Sequence, residues 1–294
     1  MGQTSISVIL ILFLSFLSSC DTSRSKTADD TGVNPNGSGI CIPESKLTGI
    51  VGGSKILPGA YDDKIVMMLN IPKGEDLGIC TATAIAPDVL LTAGHCVDGD
   101  LEHAFVTLHT SLSCESGFDF RYDTVKISSF AVNEDFDLEL AESNPPKMKG
   151  DIALVFLKEP LPARYPIYKI ARPEDFSKSN QIYFYGYGSV GYEKKGSAIL
   201  RKTALALSNV TVDIEQKKVF VNQSDGTGIC TGDSGGPGLL KINGEYQILG
   251  VNSYVEAISG IGDLCQGKSA LVLVDAYRNW IEEKLRSRGR LLRP

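Results

Sequence analysis

The chain is short of several things that would each have pointed to a function. It has no run of lysine or arginine, and its formal net charge is −6 over 294 residues. The basic stripe needed to contact phosphates is therefore missing, which excludes nucleic acid as an expected partner. No segment repeats at a fixed period. The apolar run from Ile6 to Leu17 falls short of the roughly 20 residues that cross a bilayer comfortably. Histidine is scarce as well: any imidazole chemistry must come from His95, His103 or His109. What remains is ordinary apolar and charged content, in a length sufficient for two compact lobes with a sizeable core.

The short apolar run stands at the extreme N-terminus and ends in small residues and Cys20, which is the form of an export signal. Leu17-Ser18-Ser19-Cys20 resembles the bacterial lipobox, where the signal is cut before the cysteine and the new N-terminal cysteine takes up lipid. The preceding MGQTS departs from the usual pattern in having no Lys or Arg. Two or three acyl chains on Cys20 would hold the protein at a membrane surface. The expected location is therefore the bacterial cell envelope, exported and lipid-anchored, or the exterior if the lipobox is not used.

Residues 1–19 read as the signal and 20–49 as a polar tether and propeptide, because the latter carry too little apolar surface to offset the entropy of ordering. From Ile50 the texture changes to short β-branched and aromatic runs broken by Gly and Pro, such as DIALVFL, QIYFYGYG and YQILGVNSY. That is an all-β pattern. Near the end, Tyr277, Ile281 and Leu285 recur at helical spacing behind a capping candidate at Asp275, with Gly289 as a stop.

The stretch TGDSGGPG, Thr231 to Gly238, presents a serine among glycines. A hydroxyl is a poor nucleophile until an imidazole takes its proton and a carboxylate holds that imidazole. His95 sits in a tight cluster, LLTAGHC, whereas His103 and His109 read as ordinary surface or strand residues. Asp151 opens the apolar strand DIALVFL, where a carboxylate can be buried against an imidazole; Asp135 and Asp137 lie in a more acidic, solvated run.

IVGG at Ile50, LTAGHC ending at Cys96, DIALV at Asp151 and GDSGGP from Gly232 together resemble the chymotrypsin/trypsin family of serine endopeptidases. The order His, Asp, Ser is similar too. The resemblance runs from Ile50 to the terminal helix. It implies two antiparallel six-stranded β-barrels with a C-terminal helix, the first barrel over residues 50–162 and the second, with the helix, over 163–294. It implies Ser234 as nucleophile, His95 as general base and then acid, and Asp151 as the group that orients His95. The backbone N–H groups of Gly232 and Ser234 are then the oxyanion hole. Asp233 is expected to pair with the amine of Ile50 once the chain is cut after Gly49. Gly49 departs from the Arg or Lys that precedes this bond in digestive relatives, so the activating protease is unknown.

Six cysteines remain beside Cys20, an even number in an exported chain. The resemblance pairs Cys80 with Cys96 and Cys230 with Cys265. Cys41 and Cys114 are paired by elimination, with two free thiols as the alternative.

The same resemblance places Gly228 at the base of the specificity pocket, where trypsin-type members carry an acid, and Ser253, Tyr254, Val255 and Ser269 on its walls. Val255 stands where pockets for large side chains have glycine. An elastase-like preference for small aliphatic residues is expected, with a chymotrypsin-like preference as the runner-up and a noncatalytic binding module on the same fold as the rival class. Partners are then protein or peptide substrates and, through Cys20, a lipid membrane. No cofactor is expected. No metal is either, since Glu134, Asp135, Asp137, Glu139 and Glu142 lack the glycine-marked spacing of a calcium loop.

Overall fold

The computed structural model describes residues 50–73, 76–97, 102–112, 116–137, 148–189, 198–256 and 264–293. Cys20, Cys41, Gly49 and Cys114 lie outside the described residues, as do Glu139 and Glu142. Two-residue β1 (Ser54–Lys55) opens the domain. It is followed by β2 (Met67–Lys73), β3 (Asp76–Ala86), β4 (Val89–Thr92), β5 (Phe105–Thr107), β6 (Thr124–Val132) and β7 (Ala153–Leu157). These six strands close into an antiparallel barrel in the order β2-β3-β4-β7-β6-β5, with β2 and β5 completing the circle. All five residues of β7, ALVFL, are buried, because it runs between β4 and β6 and needs apolar side chains on both faces.

The second lobe is built from β8 (Lys169–Ile170), β9 (Gln181–Gly186), β10 (Arg201–Ala206), β11 (Val210–Asp213), β12 (Lys218–Asn222), β13 (Pro237–Ile242), β14 (Glu245–Glu256) and β15 (Lys268–Leu273). Here β12 shows the alternation of a strand with one dry face: Val219 and Val221 are buried between more exposed neighbours. The lobe is a nine-stranded sheet ordered β1-β10-β9-β13-β14-β15-β12-β11, with β8 attached in parallel to β14. It is wider than six strands partly because two short pieces from outside the lobe's main run, β1 and β8, add to it through the pairs Ser54 with Lys202 and Ile170 with Ile248.

Two apolar clusters fill the molecule. One fills the barrel and continues through Tyr187, Leu239 and Val251 under the terminal helix α1 (Arg278–Arg286), which buries Ile281 and Leu285 in it. The other, with Ile50, Phe184, Val219 and Leu271, fills the second lobe. The helix differs from expectation at its start. Tyr277, not Asp275, is its N-cap, without a side-chain bond, and Asp275 instead pairs with Arg278 at 2.6 Å. A short tight turn, Val274–Tyr277, has taken up the segment that holds Asp275. At the other end Gly289 adopts φ +67° and the Arg290 N–H closes back on the Leu285 carbonyl.

Candidate active site

His95 lies on a tight turn, Gly94–Val97, that leaves the barrel directly after β4; Asp151 stands just ahead of the neighbouring strand β7. The pairing of these two strands brings the side chains together. The Asp151 carboxylate accepts the His95 backbone N–H at 2.9 Å, and its oxygens lie 2.9 and 3.1 Å from Nδ1 of the imidazole. A third donor comes from the other lobe, since Ser253 Oγ on β14 donates to Asp151 Oδ2 at 2.5 Å. Asp151 is fully buried. Burial by itself pushes its pKa up, but the His95 charge and the bonds from His95 and Ser253 outweigh this and hold the carboxyl below the usual range.

Ser234 sits on the turn before β13. That turn is bonded to the barrel through Thr81 on β3: the Thr81 N–H donates to the Ser234 carbonyl at 2.7 Å and its hydroxyl donates to the Gly232 carbonyl at 3.3 Å. Gly232 has φ +91°, a conformation that disfavours any residue with a Cβ. Asp233 N–H turns inward to the Cys230 carbonyl. The N–H groups of Gly232 and Ser234 donate to no protein acceptor among the described residues. Nor, among them, does the Ser234 hydroxyl bond to His95, whose imidazole is held by Asp151; such links commonly tighten only when substrate is bound.

The Asp233 carboxylate is fully buried and accepts N–H bonds from Gly188 at 2.8 Å and Cys230 at 2.9 Å. Burial outweighs these bonds and pushes its pKa up to about 7. The two glycines of Tyr185-Gly186-Tyr187-Gly188 make room for it: a Cβ would stand 2.2 Å from its Oδ1 at Gly186 and 2.4 Å from its Cγ at Gly188. Ile50 is fully buried in the second lobe's core.

Disulfides fasten both halves of the site, Cys80 to Cys96 beside the histidine and Cys230 to Cys265 beside the nucleophile. The sulfurs of Cys80 and Cys96 also approach the His95 imidazole closely, but a disulfide has no thiolate to offer a metal. Of the acidic segment, Glu134 is engaged with Lys284 at 2.6 Å.

A family model described as Trypsin matches residues 50–281. The chain belongs to the trypsin family. Curated relatives are similar at low identity over nearly their full lengths. Brachyurin of Leptuca pugilator is 25% identical over 242 residues, 79% of this chain and 97% of that protein. Chymotrypsin-like elastase family member 1 is 22% identical over 258 residues in Canis lupus familiaris, covering 84% of this chain and 95% of the relative. The Felis catus protein of the same name is 24% identical over 258 residues, covering 84% and 92%. As a trypsin-family member with these relatives, the protein is a serine endopeptidase.

Next to Ser234 this trypsin-family site has a small cavity of about 160 Å³, lined by Ile229, Cys230, Thr231 and the β14 segment Asn252 to Val255. Ser253, Tyr254 and Val255 line it. Gly228 and Ser269 do not. Gly228 is occupied from behind by Gln223, whose carboxamide bonds the Ile229 N–H and the Ile229 and Cys265 carbonyls at 2.8–3.0 Å; a Cβ on Gly228 would lie 2.2 Å from the Gln223 Cδ. Ile229, next in the chain, is in the cavity lining, although it is largely buried in the second lobe's core. Ser269 is directly opposite Val255 in the β14–β15 register but fully buried. Sequence reasoning missed Thr81, Gln223, Met148 and the bond from Ser253 to Asp151. None of these residue types carries a local motif.

Proposed function

We propose that the protein cleaves peptide bonds after small aliphatic residues, through an acyl-enzyme formed on Ser234. The observation that carries this is the small cavity, about 160 Å³, beside Ser234, with Val255 in its lining and without any charged side chain there. In this reading His95 takes the Ser234 proton as the hydroxyl attacks, then returns it to the leaving amine; Asp151 keeps the imidazole oriented and stabilises its charge. The N–H groups of Gly232 and Ser234 meet the charge that develops on the substrate oxygen, each donor contributing roughly 3 kcal/mol. Cleavage after Gly49 supplies the Ile50 amine that neutralises Asp233.

The test is hydrolysis of peptide amides that differ only in the residue before the scissile bond (Ala, Val, Phe or Arg) by the chain cut before Ile50, beside Ser234→Ala. Turnover favouring Ala or Val, lost in the variant, is expected. Val255→Gly should move the preference toward Phe by about 1–3 kcal/mol. A wild-type preference for Phe would favour the chymotrypsin-like reading, and no turnover by folded protein would favour the binding module.

For the remainder of the chain we propose a signal over 1–19, a lipid-bearing Cys20 and a tether over 20–49; of the lobes expected over 50–162 and 163–294, the first cedes Ile50 and β1 to the second. Export and anchoring are supported by the apolar run and the lipobox-like Leu17 to Cys20. Cys20→Ser should release the protein from the membrane fraction; continued membrane association would refute the anchor.

A further inference from the structure

A second cavity, about 580 Å³, opens on the other side of the same wall. Its lining carries three ammonium groups, Lys149, Lys217 and Lys218, against two carboxylates, Asp135 and Glu215. This excess of positive charge stands on a protein whose net charge is −6. Lys218 is the link to the active cleft. Its Nζ donates to the Tyr254 hydroxyl at 2.8 Å and stands 4.8 Å from the Tyr254 ring centroid, and Tyr254 lies on β14 between Ser253 and Val255 of the cleavage pocket. Met148, also in the cavity wall, places its sulfur 3.1 Å from Ser253 Oγ.

Among the described residues no carboxylate lies within ion-pair distance of Lys149, Lys217 or Lys218. Lys217 is engaged with the Tyr277 ring, 5.0 Å from its centroid. Lys218 is half-buried, and this loss of water disfavours its charge, with Glu256, Asp151 and Asp213 attracting it from beyond bonding distance. Among the described residues Lys218 Nζ bonds the Tyr254 hydroxyl, which Glu256 also engages, and no carboxylate reaches the ammonium directly; a substrate carboxylate would supply that direct contact.

The strand beside it is open to a substrate. Beyond Asn252, β14 pairs only with β15, through Tyr254 with Ala270, Val255 with Ser269 and Glu256 with Lys268; its other edge has no partner strand among the described residues. An extended peptide laid along such an edge sends successive side chains to opposite sides. If the residue before the scissile bond enters the small pocket, the second and fourth residues before that bond face the other way, toward the Tyr254 ring and Lys218.

We infer that this cavity is a subsite for an acidic substrate side chain at the second or fourth residue before the scissile bond, with Lys218 as the residue that selects it. The inference rests on the proposed peptidase reading, and makes the substrate a segment with an acid upstream of a small aliphatic residue.

The experiment compares paired peptide amides that carry Ala before the scissile bond and differ only by Glu or Gln at the second or at the fourth position. The chain cut before Ile50 is tested beside its Lys218→Met and Lys218→Arg variants. At low ionic strength kcat/KM should favour Glu over Gln by about five- to tenfold at one of the two positions, and the preference should shrink as salt is added. The ratio should collapse to about one in Lys218→Met and be retained in Lys218→Arg. Equal cleavage of Glu and Gln peptides by the wild type, at both positions, overturns the inference while leaving the peptidase reading in place. A preference that survives Lys218→Met overturns the role of Lys218. If that variant does not fold, the wild-type ratio and its salt dependence decide the matter. No cleavage of any peptide by folded protein overturns the peptidase reading and this inference with it.

Discussion

Raising the pH on the uncut chain should weaken it at one carboxyl group. Asp233 is fully buried, its carboxylate bonded among the described residues only to the N–H groups of Gly188 and Cys230, and its pKa is pushed up to about 7, against 3.8 for the ordinary side chain. In the unfolded chain the proton leaves near 3.8; in the folded chain it stays until about 7. Across that window the native state binds more protons than the unfolded state, so stability falls as pH rises, and the loss is complete above about pH 7. About three pH units at roughly 1.4 kcal/mol each give about 4 kcal/mol. The assay is urea unfolding of the uncut Ser234→Ala chain, which cannot process itself, at intervals between about pH 4 and pH 8, beside Ser234→Ala/Asp233→Asn. The second chain is weakened by its mismatched amide, but its profile should lack the Asp233 contribution. The expected result is a difference between the two that changes by about 4 kcal/mol across the window. Parallel profiles would refute the reasoning. Cutting after Gly49 should abolish the loss, because the Ile50 amine then offers a cation to the ionised carboxylate.

Two further outcomes follow from the site's supports. Ser253→Ala removes a donor to the buried Asp151 carboxylate, an interaction worth about 1.5–3 kcal/mol. It should lower kcat by roughly ten- to a hundredfold; kcat within twofold of wild type would show that the bond is idle. Gly188→Ala would put a Cβ 2.4 Å from the Asp233 Cγ and 2.6 Å from its backbone nitrogen. The turn must shift, so the variant should lose about 3 kcal/mol or more in denaturant unfolding, beyond the usual cost of overpacking. A loss under about 1 kcal/mol would mean the carboxylate has room to move.

The sequence was most legible where the chemistry is written into consecutive residues. The serine needs its glycines beside it, the histidine follows a buried strand end, and the aspartate precedes one. Those local demands leave local patterns. Thr81 and Ser253 act through contacts between segments more than 100 residues apart, and Gln223 through a fold-back of its own loop together with a bond to the Cys265 carbonyl; a threonine, serine or glutamine in such a place looks like any other. Behind Gly228 the space is filled by the Gln223 side chain from five residues earlier in the same loop, and no residue between them signals that fold-back. The width of the second lobe was hidden differently: β1 and β8 have two residues each, too short to show alternation. The terminal helix was visible in its buried spacing, but its first turn was not, because Asp275 serves equally well as a cap or as a partner for Arg278.

The bonds from Thr81 to the nucleophile turn bear on how such a chain comes into being. Ser234 is carried by one lobe, while the strand that fixes its backbone, and the imidazole and carboxylate that serve it, belong to the other. A molecule with a single lobe in order therefore carries only part of the constellation, and its nucleophile turn lacks the strand that holds it. A half-finished copy thus lacks the complete constellation, and hydrolytic power of this kind requires both lobes to be folded and docked.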